Sequence, residues 1–130
     1  MIKIIVDATP IISALIGGAS REIIFDTTYD FLTTEFTINE VKKYISYISK
    51  KSKTPLDQIA DALNLLPLII YNKEFYKEEI EKAKQLIEHK DKKDIDILAL
   101  TLRTSYPLWS EDTHFERINE INLLKTKDFF

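Results

Sequence analysis

Short apolar runs alternate along the chain with stretches in which apolar residues recur at helical spacing. Residues 2–6 form a β-branched run, which is typical of a strand that is covered on both faces in a parallel sheet. Similar short runs predict further strands around Phe31-Leu32 and over residues 68–71, 107–110 and 121–124.

Between these runs, the spacing of apolar residues predicts amphipathic helices. The predicted helices cover residues 10–16, 20–25, 34–49, 55–66, 74–88 and 94–102. Gly17-Gly18 ends the first of them, and Pro67 closes the fourth. Strands that alternate with helices indicate a three-layer α/β/α sandwich with a mostly parallel central sheet.

Length and composition narrow the class of protein. A chain of 130 residues can bury one proper core, so we expect a single domain over residues 1–130. Cysteine is absent, which excludes disulfides and thiolate metal sites. No apolar run approaches the ~18 residues of a membrane span, and the N-terminus reaches a charge too soon for a secretion signal. We therefore expect a cytoplasmic protein with no membrane partner.

Four acidic residues stand where predicted elements begin or end: Asp7, Glu40, Asp94 and Asp112. Asp7 and Asp112 follow strands directly, and function in such sheets collects at the carboxyl ends of the strands. Crowded carboxylates repel, and a divalent metal or a raised pKa is the usual reason that a protein tolerates them. One or two hard cations held by carboxylates could activate water and stabilise the leaving oxygen of a phosphodiester.

Each acid also has an ordinary explanation. Asp94 could be a helix N-cap, and Glu40 could complete a capping box that begins at Thr37. Asp7 and Asp112 could be loop residues. These readings suffice for each acid alone, and the order of the four acids along the chain is what favours a shared site.

Four stretches of sequence carry a resemblance to a known family. They are Val6-Asp7-Ala8-Thr9, Ile38-Asn39-Glu40-Val41, the segment 94–101 that opens a late helix, and the segment 107–115 after it. Because these four stretches occur in this order, the chain resembles PIN-domain proteins over residues 2–126. These are metal-dependent ribonucleases that include the toxin halves of many prokaryotic toxin–antitoxin pairs.

The resemblance implies a site and a reaction. It assigns metal binding and catalysis to four acids and support to two hydroxyls: Asp7, Glu40, Asp94 and Asp112, with Thr9 and Ser110. One or two Mg²⁺ or Mn²⁺ ions would serve an endoribonuclease, and the partners implied are RNA, an antitoxin protein and a second copy of the chain. The exposed apolar end Phe129-Phe130 is compatible with such a homodimer. His114 stands where the family often has another acid. It could instead contact phosphate, although a loop histidine of this kind is usually just solvated.

RNA contacts are predicted from local basic residues, because the net charge of −3 does not itself indicate nucleic-acid binding. The main basic stretch interleaves lysines with Tyr44 and Tyr47, which could stack on bases. Its alternative reading is a solvated helix face. The candidate phosphate contacts are Lys42, Lys43, Lys50, Lys51 and Arg21, with Lys92-Lys93 as a third group.

Neighbouring acids are set aside. Asp96 lies roughly 200° around the helix from Asp94, so we predict that it faces solvent. Glu35 and Glu111 are predicted to be exposed.

Two other classes remain as alternatives. One is a catalytically inactive PIN-like module that binds RNA or protein. The other is a phosphate-accepting receiver domain. Such a domain needs an acidic pair after the first strand and a lysine after the last strand. This chain offers only Asp7 at the first position, and Lys125 alone could serve at the second. A dinucleotide-binding domain is disfavoured because no Gly-x-Gly follows the first strand.

Overall fold

The computed structural model describes residues 1–87 and 91–130. Its strands are β1 (Ile2–Val6), β2 (Tyr29–Thr34), β3 (Leu68–Tyr71), β4 (Leu108–Trp109) and β5 (Leu123–Leu124). Its helices are α1 (Ala8–Ile16), α2 (Ala19–Ile24), α3 (Glu35–Lys42), α4 (Ile45–Ser52), α5 (Leu56–Leu65), α6 (Lys73–Tyr76), α7 (Ile80–Leu86) and α8 (Lys92–Thr104). Short 3₁₀ turns cover Lys77–Glu79, Thr113–Phe115 and Thr126–Phe129. The last residue of the helix predicted over 74–88 lies outside the described residues.

The strands form one sheet in the order β3-β2-β1-β4-β5, and each neighbouring pair is parallel. The predicted α/β/α class with a parallel sheet is therefore confirmed. Because β1 and β4 are adjacent and parallel, their carboxyl ends meet at one edge. There the Asp7 amide donates a hydrogen bond to the Trp109 carbonyl at 3.0 Å.

Side chains that alternate along the strands divide the apolar interior into two cores. Ile4 and Val6 of β1 pack with helices α1–α5, whereas Ile5 packs with α7 and α8 on the opposite face. Helix α8 is buried from Asp94 to Thr101 without interruption. Truncation of a fully buried side chain such as Ile5 would lower the free energy of unfolding by about 2–5 kcal/mol. Packing on both faces therefore holds the sheet in place.

The helix predicted over 34–49 is two helices, with a break at Lys43 and Tyr44. The Thr34 hydroxyl caps the first of them by accepting a hydrogen bond from the Thr37 amide at 2.9 Å. Glu40 is therefore not part of a capping box begun by Thr37, and that reading is wrong. Tyr44, at the break, and Tyr47, in α4, line the same cavity as Glu40.

Phe129 is not the free apolar end that the sequence suggested. Its ring packs against Trp109 and Tyr29, with ring centroids 4.8 Å and 5.5 Å apart. Of these two terminal residues only Phe130 is exposed, at 76 %. Across the parts of the chain that the structure describes, no helix is both long and apolar enough to cross a bilayer.

Candidate active site

Asp7 stands at the junction between β1 and α1. Its Oδ1 accepts a hydrogen bond from the Ala8 amide at 2.8 Å, so the carboxylate caps α1. Its Oδ2 accepts a hydrogen bond from the Ser110 hydroxyl at 2.7 Å. Burial raises the pKa of Asp7, these two hydrogen bonds oppose the rise, and the charge of Asp112 adds to it. Asp7 is thus a buried carboxylate that is held in place and lies close to another acid.

Ser110 connects two of the predicted acids. Its fully buried hydroxyl donates to Asp7 and accepts a hydrogen bond from the Asp112 amide at 3.0 Å. The structure therefore gives Ser110 a positioning contact with both residues. The other predicted hydroxyl, that of Thr9, is exposed and lines the cavity in front of Asp7.

Asp94 lies in the first turn of α8. The N-cap of this helix is Asp91, whose Oδ1 accepts a hydrogen bond from the Lys93 amide at 3.0 Å, so the N-cap reading of Asp94 is wrong. Burial raises the pKa of Asp94 to about 6, a hydrogen bond with His114 opposes the rise, and the charges of Asp112, Asp7 and Asp91 add to it. Asp94 lines one cavity together with Asp7, Asp91 and Asp112.

Asp112 and His114 close the other side of the site. The Asp112 Oδ1 accepts a hydrogen bond from the His114 amide at 2.9 Å and so caps the 3₁₀ turn. The His114 Nδ1 lies 2.8 Å from the Asp94 Oδ2 and 3.3 Å from the Asp112 Oδ1. The contact with Asp94 and the charge of Asp112 raise the pKa of His114. His114 is thus exposed, as the sequence predicted, but it also contacts two carboxylates of the acidic cluster.

A cavity of about 590 Å³ brings the predicted acids together. All four carboxylates line it, including Glu40, which lies on α3 and is 9 % exposed. The Glu40 Oε1 lies 3.1 Å from the Nζ of Lys43. Apolar and aromatic side chains also line it, namely Ala8, Ile12, Ile16, Tyr44 and Tyr47. The cavity thus combines carboxylates with apolar and aromatic side chains.

The basic residues predicted to hold RNA are distributed unevenly around this cavity. Lys93 lines it, and the Lys51 ammonium lies 6.0 Å from the centre of the Tyr47 ring. Lys42 and Lys50 are exposed on the neighbouring helices and are not among its lining residues. Arg21 donates hydrogen bonds from its guanidinium to the carbonyls of Ala14 and Leu15 at 2.9 Å and 3.1 Å. Arg21 therefore supplies hydrogen-bond donors to carbonyls in the last turn of α1. Its contact with RNA stays a prediction.

Asp96 corrects a sequence-based expectation. It is only 8 % exposed, and its Oδ2 accepts a hydrogen bond from the Tyr76 hydroxyl at 2.5 Å. Burial and this hydrogen bond raise the pKa of Tyr76. Asp96 thus faces the layer formed by α6 and α7 rather than solvent. Glu35 and Glu111 are exposed as expected.

One group of donors fits a divalent cation. Carboxylate oxygens of Asp91 and Asp94, which line the cavity, and a ring nitrogen of His114, which lines a neighbouring one, all lie within 4.8 Å of one another. Hard divalent cations take carboxylate oxygens as ligands, and a bound cation would favour the charged forms of Asp7 and Asp94, whose pKa values burial and then neighbouring negative charge raise. Asp91 was not singled out in the sequence, because a helix cap of its type is common.

Comparison with known proteins connects this geometry to a family. The family model described as the PIN domain matches residues 5–121. Among solved structures, the chain is similar to one in the crystal structure of VapBC2 from Rickettsia felis bound to a DNA fragment from their promoter. The TM-score is 0.67 at 14 % identity, and the match covers 95 % of this chain and 98 % of that one. At this identity the likeness shows the fold alone. A search among curated proteins finds no significant match.

Proposed function

The chain belongs to the PIN-domain family, and from that premise we propose that it is a metal-dependent endoribonuclease. The observation that carries the proposal is the convergence of Asp7, Glu40, Asp94 and Asp112 on one cavity. Burial raises the pKa values of both Asp7 and Asp94, and the charge of Asp112 adds to the rise in both, which is expected of carboxylates arranged to hold a cation.

In this proposal Asp7, Asp94 and Asp112 hold one or two Mg²⁺ or Mn²⁺ ions. A divalent ion in such a site lowers the pKa of water and neutralises charge on the phosphodiester. Glu40 binds metal or orients the attacking water and accepts its proton. The water oxygen bonds to phosphorus as the bond from phosphorus to the 3′ oxygen breaks, and the 3′ oxygen takes up a proton. The products carry 5′-phosphate and 3′-hydroxyl ends.

The chain's own residues around the cavity would hold the RNA. Tyr44 and Tyr47 line the cavity together with the acids, and stacking of a base on such a ring contributes about 1–3 kcal/mol. Lys93, which also lines the cavity, and Lys51 beside Tyr47 would contact phosphates. These contacts favour unpaired RNA, whose bases are free to stack.

We further propose that the nuclease is the cytoplasmic toxin of a toxin–antitoxin pair and works as a homodimer. This proposal is supported by the family and by the likeness in fold to a chain of VapBC2. A cognate antitoxin would cover the acidic cavity. Copurification of the chain with the product of an adjacent gene, and loss of cleavage in that complex, would support it.

The nuclease proposal is tested with purified protein and labelled single-stranded RNA. We expect cleavage in Mg²⁺ or Mn²⁺, none in excess chelator, and recovery when the metal is restored. Mapping of the product ends should find 5′-phosphate and 3′-hydroxyl groups. RNA binding without cleavage under every metal condition would instead favour the inactive PIN-like binding module.

A further inference from the structure

His114 places a nitrogen among the oxygen donors of the acidic cluster. Its Nδ1 lies between two carboxylates, 2.8 Å from the Asp94 Oδ2 and 3.3 Å from the Asp112 Oδ1. Asp94 lies on α8, and Asp112 is the N-cap of the 3₁₀ turn after β4. The imidazole therefore bridges two carboxylates from different parts of the chain.

These separations suit ligands of one cation. Two neighbouring ligands of an octahedral ion, each at about 2.1 Å from the metal, lie about 3.0 Å apart. The two distances from the His114 Nδ1 lie on either side of that value. In addition, a ring nitrogen of His114 and carboxylate oxygens of Asp91 and Asp94 lie within 4.8 Å of one another. The distances among these donors are therefore compatible with one shared cation.

We infer that His114 is a direct nitrogen ligand of the divalent ion in this site and that it favours a first-row transition ion such as Mn²⁺ over Mg²⁺. This inference rests on the proposed metal-dependent function. Its chemical basis is that Mg²⁺ takes oxygen ligands almost exclusively, whereas imidazole is a common ligand of transition metals. The acid that the family often carries near this position would not discriminate in this way.

The competing role for His114 is that of an internal cation. A protonated imidazole between Asp94 and Asp112 would partly neutralise them and would have to be displaced before a metal could bind. The two roles predict opposite effects of removing the side chain. His114→Ala would weaken Mn²⁺ binding if His114 is a ligand and would strengthen it if His114 is a competing cation.

The direct test is pulsed electron paramagnetic resonance on the full chain loaded with Mn²⁺ alone, without RNA. We expect electron spin echo modulation from a directly bound imidazole ¹⁴N in the wild type. The signal should be lost in His114→Ala and kept in His89→Ala, the control that removes the chain's other histidine. Absence of ¹⁴N coupling from bound Mn²⁺ in the wild type would overturn the inference, and that spectrum needs no variant to fold.

Metal affinity gives an independent measurement. By calorimetry we expect His114→Ala to weaken Mn²⁺ binding at least about tenfold and Mg²⁺ binding less. His114→Asp should lower the ratio of Mn²⁺ to Mg²⁺ affinity while the protein remains folded by circular dichroism. Unchanged or tighter Mn²⁺ binding by His114→Ala overturns the inference.

The outcomes separate this inference from the nuclease proposal. Mn²⁺ with ¹⁴N coupling but no RNA cleavage would support the ligand and contradict the nuclease. Metal-dependent cleavage without ¹⁴N coupling would contradict the ligand alone. Failure to bind any divalent ion would contradict both.

Discussion

Asp94 and Asp96 are buried carboxylates two residues apart on α8, and their surroundings differ. Asp96 faces α6 and accepts a hydrogen bond from one neutral donor, the Tyr76 hydroxyl. Asp94 faces the cavity, where Asp7, Asp91 and Asp112 add negative charge around it. Burial therefore does not distinguish a functional acid from a structural one. The difference is in the partners, because Asp94 lies among groups that a cation could neutralise.

The largest expected difference between the two acids is in catalysis. Asp94→Asn should lower the rate of RNA cleavage by roughly 100-fold or more, because it removes a charge that holds the metal. Asp96→Asn should lower it less than about tenfold. Initial rates at saturating Mn²⁺ provide the measurement, with circular dichroism as the control for folding. Equal losses of cleavage rate in both variants would contradict the proposed difference between Asp94 and Asp96.

Metal binding should separate the two acids in the same way. A cation at 100 times its dissociation constant stabilises the folded state by about 2.7 kcal/mol. We expect Mn²⁺ to raise the melting temperature of the wild type and of Asp96→Asn but not that of Asp94→Asn. Thermal unfolding with and without chelator makes the comparison, and a response retained in Asp94→Asn would count against Asp94 as a ligand.

Without metal, Asp94 should destabilise the fold at neutral pH. Its pKa rises from its ordinary value of 3.8 to about 6 on folding, mainly because of burial, so the folded state binds the proton more tightly, and stability falls as pH increases through that window. Asp94→Asn should therefore be more stable than the wild type by roughly 1–3 kcal/mol at pH 7.5, with the gain shrinking below pH 6. Denaturant unfolding in chelator at several pH values measures this gain, and a constant gain across them would show another cause.

The smallest expected effect on RNA cleavage comes from changing the partner of the structural acid Asp96. Tyr76→Phe leaves the buried Asp96 without its hydroxyl donor and should cost about 1–3 kcal/mol of stability. Cleavage by the folded variant should change little. Urea unfolding combined with rates measured well below the melting temperature tests both statements. A loss of activity comparable to that of Asp94→Asn would show that Asp96 also serves the site.

The fold and the acids at the strand ends could be predicted because local patterns specify them. The β-branched run before Asp7 and the strand before Ser110 and Asp112 required only the rule that parallel strands share a carboxyl edge. Helix α8 shows where this reasoning fails. Asp94 lines the cavity and Asp96 contacts Tyr76, so the two acids do face different ways, but the inference that Asp96 faces solvent assumed that α8 has a solvent face. From Asp94 to Thr101 every residue is buried.

His114 and the broken helix at Lys43 depended on contacts that the sequence does not display. His114 reaches Asp94 because the 3₁₀ turn capped by Asp112 brings the imidazole back over α8, across 20 residues of sequence. No glycine or proline marks the break between α3 and α4, where Tyr44 has φ −101° and ψ 8°. The roles of the predicted RNA-binding lysines stay predictions, because they depend on contacts with RNA rather than on the fold.

The central claim is that the converging acids hold a cation that cleaves RNA, and Asp7→Asn tests it most directly. An asparagine oxygen can still cap α1 through the Ala8 amide, so the fold should survive while the charge is lost. The measurement is RNA cleavage as a function of Mn²⁺ concentration for wild type and Asp7→Asn at matched folded fractions. We predict saturable metal-dependent cleavage by the wild type and at least a roughly 100-fold lower rate in the variant at every concentration. Cleavage by Asp7→Asn at the wild-type rate, or cleavage by the wild type that persists in chelator, would contradict the account.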